Sequence, residues 1–336
     1  MRKFKVGIIG AGLQAKRRIP AINSNQNSQV VSIYSKTLKR SEVLAKEYSL
    51  KVLKSYEEIL RDKSIKIVVV TTYPESHAEI TIAALKAGKH VLCEKPLAKD
   101  VKSAQEMVNA ARKYQRLLKC GFNHRFHPAV VKAKKLVDDG IIGKLLYGRS
   151  IYGYSGREGF AKEWRSDKKY SAGGILMEQG IHLVDLFSWF FGEIKSVSCF
   201  ADTLYFPIAP FEDSAFVMLK TKKNQPISFH VSNLQWKNTF LFEVYGTKGY
   251  VKVEGLGGSY GIEKFIFGKK DNYGPFREEN EEYRQEDFSW KSEWEELINA
   301  INARRKPLES GEDGFTAMQI VSKAYQSAKE GRVIFV

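Results

Sequence analysis

Three ionisable side chains lie along an otherwise apolar stretch of the chain, GGILMEQGIHLVDLFSWFFG at 173–192. They are Glu178, His182 and Asp185, and the stretch contains no Lys or Arg although the chain has 54 of these residues. If the stretch forms one helix, a rotation of about 100° per residue places the three side chains and Trp189 within an arc of about 60°. Apolar residues fill the other faces, which predicts a buried helix whose acid and histidine side chains line a cleft.

A histidine beside two acids could exchange a proton with an alcohol. Imidazole titrates near neutral pH, so His182 is the best suited of the three to act as a general base or acid. Asp185, one turn further along the helix, could orient that imidazole or bind a neighbouring hydroxyl. The alternative is a core histidine bonded to the backbone, and the helix alone does not decide between the two.

A glycine-rich turn near the amino terminus has the pattern of a dinucleotide-binding loop. In IIGAGLQAKRRIPAI, Gly10 and Gly12 follow a buried apolar strand and open a helix. The first glycine allows a tight turn, the second allows the backbone to approach a pyrophosphate, and the small Ala15 allows close packing of the helix. Free N–H groups at the helix start can bind phosphate. A turn that only joins a strand to a helix is the alternative.

The residues after the second predicted strand bear on which dinucleotide binds. An acid there would hold both ribose hydroxyls of NAD, and none is present. A small hydroxyl followed by cations suits the 2′-phosphate of NADP, so the sequence favours NADP and leaves NAD open. Lys36 could instead be a solvated loop lysine. The segment reads Tyr34, Ser35, Lys36, Thr37, Leu38, Lys39 and Arg40.

Short apolar runs alternate with helical patterns over the first third of the chain, which predicts an α/β fold with a doubly wound parallel sheet. Beyond residue 122, runs rich in β-branched and aromatic residues predict an α+β domain with a large, mostly antiparallel open sheet. The predicted domains are 1–122 for dinucleotide binding and 123–336 for substrate binding and oligomerisation, with a helix at 313–330 packing back on the first domain. The predicted strands are 5–9, 30–34, 66–72, 90–93 and 117–122 in the first domain, and 145–154, 197–206, 214–221, 227–234, 240–245, 250–254 and 265–267 in the second.

Composition argues against several other classes of protein. The net charge is +16, but Lys and Arg are spread along the chain and residues 278–287 are acidic, so no nucleic-acid partner is expected. The absence of a long apolar segment or a signal peptide pattern predicts a cytoplasmic protein with no membrane partner. Three widely spaced Cys fit neither a disulfide framework nor a zinc site, and no metal site is expected. His124 and His127 are predicted to be loop residues.

Four motifs, in the expected order, carry a family resemblance. EKP at 94–96 is followed by GFNHRFHP at 121–128, EWR at 163–165 and GGILMEQGIHLVD at 173–185. With the closing segment GEDGFTAMQIVSKAYQSAKEGR, they make the chain resemble the Gfo/Idh/MocA oxidoreductases over nearly its whole length. The resemblance implies an amino-terminal Rossmann domain and a carboxy-terminal sheet whose open face often forms the dimer or tetramer contact.

The resemblance also implies an activity and a set of site residues. Proteins of this family oxidise or reduce carbinol groups, mostly on sugars, inositols and nucleotide-linked sugars. Lys95 and His182 are implied as catalytic, with Lys95 stabilising negative charge on the reacting oxygen. Pro96 would fix the turn that aims Lys95, and an unusual peptide bond, with cis as the form considered, is expected there. Glu178 stands where the family usually has Asp, so its part in proton transfer is left open. From the residues and the resemblance together, the expected cofactor contacts are Gly10, Gly12, Leu13, Gln14, Ala15, Ser35, Lys36, Thr37, Arg40, Thr71, Thr72, Tyr73, His77, Glu94, Lys95, Asn123, Trp164 and Arg165, and the expected substrate contacts are Lys95, Arg125, Tyr152, Glu178, His182 and Asp185.

We therefore expect an NAD(P)-dependent oxidoreductase that transfers hydride between a nicotinamide cofactor and a carbinol or keto group of a sugar, inositol or nucleotide-linked sugar. The alternative is a dinucleotide-binding regulatory protein of the same fold without turnover, and the presence of both Lys95 and His182 argues against it. The expected partners are a small-molecule sugar or nucleotide-sugar substrate and further copies of the chain, in a homodimer or homotetramer formed through the carboxy-terminal sheet. The central expectation is that Lys95 and His182 act on the same alcohol oxygen.

Overall fold

A computed structural model describes residues 3–271 and 277–336 of the protein. Its chain divides into two compact units, whereas the sequence predicts a single break after residue 122. Two later segments, 169–172 and 290–318, group with the first unit. The first unit is 1–122, 169–172 and 290–318, and the second is 123–168, 173–289 and 319–336.

The first unit is built on a six-stranded parallel sheet, as the alternating pattern predicts. Its apolar runs are buried on both faces, which is why they read as nearly continuous hydrophobic segments. The strand order, β3-β2-β1-β4-β5-β6, is that of a doubly wound dinucleotide-binding fold, with the order reversing between β1 and β4. The strands are β1 (Phe4–Ile9), β2 (Ser28–Tyr34), β3 (Lys51–Val52), β4 (Ile65–Val70), β5 (His90–Glu94) and β6 (Leu118–Gly121).

Helices follow the strands of this sheet, and one of them comes from far along the chain. Trp294, in a helix that begins at Ser289, is 1% exposed and donates from its indole nitrogen to Ser28 Oγ at 2.8 Å. Leu297 and Ile298 join the same apolar core, so this helix completes the first unit. The helices are α1 (Leu13–Ser24), α2 (Leu38–Tyr48), α3 (Tyr56–Arg61), α4 (Pro74–Lys86), α5 (Val101–Lys113), α8 (Ser289–Asn302) and α9 (Gly311–Glu330), the last of which continues into the second unit.

The second unit is built on a nine-stranded, mostly antiparallel sheet, again as predicted. Its order is β14-β13-β12-β11-β7-β10-β9-β8-β15, and the described ladders include one parallel pair, β7 with β10. The predicted strand 197–206 begins earlier and ends at residue 202, and the acidic segment near 280 forms an edge strand. The strands are β7 (Leu145–Ser155), β8 (Ile194–Asp202), β9 (Ser214–Thr221), β10 (Pro226–Ser232), β11 (Leu234–Gly246), β12 (Gly249–Glu254), β13 (Glu263–Lys269), β14 (Glu278–Tyr283) and β15 (Ile334–Phe335).

The two faces of this second sheet differ. One face packs against α6 (Pro128–Asp138) and α7 (Ile181–Phe191), and buries residues such as Phe187 and Phe242. On the opposite face, β8 and β9 present Phe200 and Phe216, which are 74% and 54% exposed. The sheet is therefore open on one side in a single copy of the chain.

The segment with the acid–histidine pattern is not the single α-helix that the sequence predicts. A π-helical turn spans Leu176–Gly180, and α7 begins after it. Because a π turn rotates less per residue than an α turn, the predicted spacing holds from His182 onward and not back to Glu178. Glu212 stabilises the start of the segment, since its carboxylate accepts from the Leu176 N–H at 2.8 Å.

Candidate functional site

The glycine turn between β1 and α1 has the geometry of a phosphate-binding loop. Gly10 has a φ of +112°, and a Cβ there would lie 2.6 Å from the Thr71 carbonyl carbon, so the tight turn requires glycine. At Gly12 no atom lies within 4 Å of the Cβ position, which leaves its backbone open to a ligand. Ala15 is fully buried against the core. The buried Oε1 of Gln14 has no hydrogen-bond partner among the described residues. Together, the tight turn, the open backbone at Gly12 and this available acceptor fit a bound dinucleotide.

The residues after β2 are accessible for recognition of a ribose. Ser35 is half-buried and its hydroxyl accepts from the Thr37 N–H at 3.3 Å. Lys36, Thr37 and Arg40 are exposed, and Thr37 precedes the first residue of α2. The chain therefore places hydroxyl and cationic groups together at the edge of the sheet where dinucleotides bind.

A buried histidine ties the end of β4 to the turn after β5. His77 Nε2 lies 3.1 Å from the Thr72 carbonyl oxygen, and Nδ1 lies 3.0 Å from that of Pro96. Burial lowers the pKa of this imidazole. The peptide before Pro96 is cis, one form of the unusual bond expected there, and Lys95 is half-buried. His77 therefore connects the loop at Thr72 and Tyr73 with the turn that carries Lys95.

Glu94, directly before that lysine, belongs to a buried ion cluster. Arg18 Nε donates to Glu94 Oε1 at 2.7 Å, and Arg18 Nη1 donates to Glu293 of α8. The Arg18 guanidinium also lies 4.5 Å from the ring centre of Trp290. Burial alone would lower the pKa of Arg18, but the two carboxylates outweigh it and raise that pKa. The orientation of Glu94 is thus fixed by a residue on the helix that follows the glycine turn.

In the second unit, both acids of the predicted pattern are paired with arginines. Asp185 accepts from Arg125 Nε at 2.8 Å and from Arg125 Nη2 at 2.5 Å, a bidentate pair between side chains that are at most 4% exposed. The same guanidinium lies 5.3 Å from the ring centre of Trp189. Glu178 accepts from Arg165 Nε, and this pair is half-buried. The Arg165 guanidinium also lies 4.7 Å from the ring centre of Trp164. The pair of Arg165 with Glu178 brings the EWR segment and the π turn into contact.

His182 lies among aromatic rings of the same unit. Its imidazole stacks on that of His124, with 3.8 Å between the centroids and 18° between the planes. His124 Nε2 lies 3.0 Å from the Tyr152 hydroxyl, and Tyr152 packs against Tyr260 and Phe240. Of the substrate residues expected in this unit, the structure brings His182 and Tyr152 together through His124, with Tyr260 and Phe240 against the Tyr152 ring.

Comparison with known proteins decides the family. Residues 4–122 match the model of an oxidoreductase family with an NAD-binding Rossmann fold, and residues 130–252 match the GFO/IDH/MocA C-terminal domain. The trans-1,2-dihydrobenzene-1,2-diol dehydrogenase of Mus musculus is 30% identical over 260 residues, or 74% of either chain. The chain belongs to the Gfo/Idh/MocA oxidoreductase family.

Other Gfo/Idh/MocA-like proteins agree with this assignment. An inositol 2-dehydrogenase/D-chiro-inositol 3-dehydrogenase of Lactiplantibacillus plantarum is 28% identical over 263 residues, covering 74% of this chain and 71% of that protein. The solved structure of an aldose-aldose oxidoreductase from Caulobacter crescentus, in complex with glycerol, superposes with a TM-score of 0.88 at 25% identity, covering all of both chains. The family predicted from the motifs is confirmed, and the protein is an oxidoreductase that uses a nicotinamide cofactor.

Several residues packed around the predicted site residues are not predicted from the sequence. Arg18 contacts Glu94, and His124 contacts His182 and Tyr152, while Glu293 pairs with Arg18. Each is an ordinary polar residue in its own segment. His124 was predicted to be a loop residue and is 6% exposed, and the signal that could have found it is its place inside GFNHRFHP. Within residues 3–271 and 277–336, no cluster of three or more His, Cys, Asp or Glu could hold a metal, and no helix is long and apolar enough to cross a membrane.

Proposed function

We propose that the protein transfers hydride between a nicotinamide cofactor and a carbinol or keto group of a sugar, an inositol or a nucleotide-linked sugar. The observation that carries this proposal is the pairing of Asp185 with Arg125, and of Glu178 with Arg165, on the segment that holds buried His182. With each acid matched by an arginine, the imidazole is the group of the three suited to change charge near neutral pH. The inositol and aldose named for two relatives support a polyhydroxylated substrate.

The bound nicotinamide ring supplies the hydride chemistry. We assign to His182 the proton of the reacting hydroxyl, which it accepts in oxidation and returns in reduction. Lys95 donates a hydrogen bond to the reacting oxygen and stabilises its developing negative charge. The half-buried Glu178 binds a neighbouring hydroxyl, while Arg165, which pairs with it, keeps its predicted place at the cofactor. Asp185 and Arg125, predicted from the sequence as substrate contacts, are assigned a different role here: they hold α7 in place, because they are almost fully buried against each other.

The proposed cofactor is NADP, with NAD as the alternative. Support comes from the exposed cations Lys36 and Arg40 and the hydroxyls of Ser35 and Thr37 after β2. No acid occurs between Tyr34 and Arg40 to repel a 2′-phosphate. Burial raises the pKa of Glu75, and a backbone hydrogen bond and then the charge of Lys36 oppose that rise.

We also propose a cytoplasmic homodimer or homotetramer formed through the open face of the second sheet. A groove of about 600 Å³ crosses this face, and its lining includes Phe200, Phe216, Met218, Arg149 and Glu243. Three of these are apolar side chains more than half exposed in the single chain. A contiguous apolar surface of this kind is typical of a protein–protein contact.

The test is turnover on a panel of sugars, inositols and nucleotide sugars, measured by the absorbance of the reduced nicotinamide. Lys95→Ala should lower turnover on the order of a hundredfold while leaving cofactor affinity nearly unchanged, by analogy with the loss of an oxyanion donor. Lys99→Ala is the matched control, because Lys99 lies on the same segment and is exposed.

Two outcomes would contradict the proposal. Tight cofactor binding without turnover on any member of the panel would favour the regulatory alternative. Turnover by Lys95→Ala equal to that of Lys99→Ala would remove the assigned role of Lys95, whatever the substrate.

A further inference from the structure

His182 has a second imidazole against its face. The His124 ring lies 3.8 Å away and nearly parallel, and the two residues are 6% and 3% exposed. If both rings were protonated, their repulsion would lower the pKa of the second protonation by about one to about three units. The smaller figure holds for a water-like effective dielectric constant and the larger for a protein-like one. A proton on either ring therefore opposes a proton on the other.

Hydrogen bonds fix the orientation of His124 and favour its neutral ring. Asn123 Nδ2 donates to Ser289 Oγ at 2.9 Å, which leaves Asn123 Oδ1 at 3.3 Å from Nδ1 of His124. Nδ1 then carries the hydrogen, and Nε2 accepts from the Tyr152 hydroxyl at 3.0 Å. Burial, followed by the influence of Tyr260, raises the pKa of Tyr152 well above its ordinary value, so that hydroxyl keeps its hydrogen.

Charged and titratable groups from several segments pack around the stack. They come from the 3₁₀ turn at 123–126, the π turn, α7 and β13, and also from the segment before α8. Asp185 is paired with Arg125, and Glu178 with Arg165.

A third imidazole lies against His124. The His127 ring meets it edge-on, with 5.6 Å between the centroids, and His127 Nδ1 lies 2.9 Å from Glu263 and 4.0 Å from Asp287. The His182 ring is closer to His124, at 3.8 Å, so protonation of either stacked ring acts directly on the other.

We propose that His124 is a positioning residue for His182, and that the two stacked rings together hold at most one added proton near neutral pH. In alcohol oxidation, the O–H bond of the substrate breaks and its proton goes to an imidazole nitrogen of His182, while the carbon gives its hydride to the nicotinamide. The stack then passes from no proton to one. A neutral His124 permits this step and a protonated His124 prevents it. The inference rests on the proposed role of His182.

The test is a pH titration of the histidine side chains by NMR, with the full-length protein labelled with ¹⁵N-histidine. In the wild-type protein, the chemical shifts of His124 and His182 should change together in two protonation steps. The midpoint of the second step should lie at least one pH unit below that of the first. In His124→Phe, which keeps an aromatic ring against His182, the His182 signal should titrate in a single step. A single-step His182 titration that is unchanged by His124→Phe would overturn the proposal.

The chain offers a matched internal control. His230 stacks on Phe216 with 4.0 Å between the centroids and 5° between the planes, so its geometry is similar but its partner does not titrate. Burial lowers the pKa of His230, which moves its titration without splitting it. A single step for His230 beside two steps for His182 would assign the splitting to the second imidazole. Two steps for both histidines would mean that the splitting has another source, and would overturn the proposal.

Turnover separates positioning from a purely structural role. With a substrate found by the panel, His124→Ala should lower kcat about tenfold or more and change the KM for that substrate less than threefold, and His124→Phe should recover most of the lost kcat. Equal loss in the two variants would contradict the role of the stacked ring. If His124→Ala does not fold, the NMR titration of the wild type and His124→Phe still decides. If no substrate is found, the proposed function fails while that titration still tests the shared proton.

Discussion

Arg18→Met should destabilise the first unit strongly, because it leaves two buried carboxylates without their cation. Arg18 and Glu293 are 1% and 0% exposed, and Glu94 is 4% exposed. Methionine fills most of the same volume, so little of the effect would come from a cavity. The change therefore isolates the loss of charge pairing inside the cluster.

The expected magnitude follows from the burial of the three groups. Removing one partner of a buried ion pair typically costs about 3–5 kcal/mol, since the other charge stays buried and unmatched. Loss of the cation over the Trp290 ring adds about 1 kcal/mol. For a unit of about 150 residues, 1 kcal/mol corresponds to about 2–4 °C, so a loss of about 4–6 kcal/mol should lower the thermal midpoint by about 8–24 °C.

Glu293→Gln is the matched control and carries a pH signature. Burial raises the pKa of Glu293 above its ordinary value of 4.5. A carboxyl group whose pKa is higher in the folded than in the unfolded protein contributes stability that is fully present below the unfolded-state pKa. That stability is lost as the pH rises through the folded-state pKa. Glutamine does not titrate, so this variant should gain stability relative to the wild type from about pH 4.5 upward. At low pH the two should agree within about 1 kcal/mol.

The assay is urea unfolding at several pH values, followed by circular dichroism and by the fluorescence of Trp290 and Trp294, both in the first unit. A loss below 1 kcal/mol in Arg18→Met would show that the cluster does not depend on this cation. Equal losses in Arg18→Met and Glu293→Gln, or a pH-independent difference between Glu293→Gln and the wild type, would refute the electrostatic account.

Three further predictions concern the cofactor and the open sheet. Gly10→Ala should lower the free energy of unfolding in urea by at least about 2 kcal/mol, because the φ of Gly10 is +112° and a Cβ there would meet the Thr71 carbonyl. Gly12→Ala should keep its stability and bind the dinucleotide more weakly in calorimetry. Equal stability of the two variants would contradict this prediction. Lys36→Asp should shift the ratio of kcat/KM for NADP over NAD at least tenfold toward NAD, and an unchanged ratio would mean that another residue reads the ribose. Phe216→Glu should lower the mass measured by light scattering to that of one chain, and an unchanged assembly would exclude this face as the contact.

Much of the first unit could be predicted because its strands are buried on both faces. Runs such as KVGII and KIVVVTT are continuous and apolar, and the segments between them show the 3.6-residue repeat of apolar residues that is typical of helices. Buried strands that alternate with helices predict a parallel sheet. The elements that were not predicted are short. β3 has two residues and α3 has six, too few for either period to show.

The contribution of α8 to the first unit was not predictable for a different reason. Its apolar residues Trp294, Leu297 and Ile298 indicate a buried face, but a periodic pattern does not say what it packs against. The structure places this face on the core of the first unit, more than 150 residues after the predicted break at 122. The π turn was hidden in a related way, since a segment that is apolar on nearly every side gives no signal when its rotation changes.

The partners of the acid–histidine segment explain its lack of lysine. The two cations that its acids require come from outside the stretch. Arg125 lies in the turn after β6, 60 residues before Asp185, and Arg165 lies in EWR, 13 residues before Glu178. Both are arginines, whose planar guanidinium can form two parallel hydrogen bonds with a carboxylate, as Arg125 does with Asp185. A lysine within the segment would have offered a single point charge and an additional cation near His182, where it would oppose protonation of the imidazole. The two acids of the stretch are therefore neutralised by arginines that lie outside it. The spacing of residues within the stretch could not identify these arginines, although its chemistry depends on them.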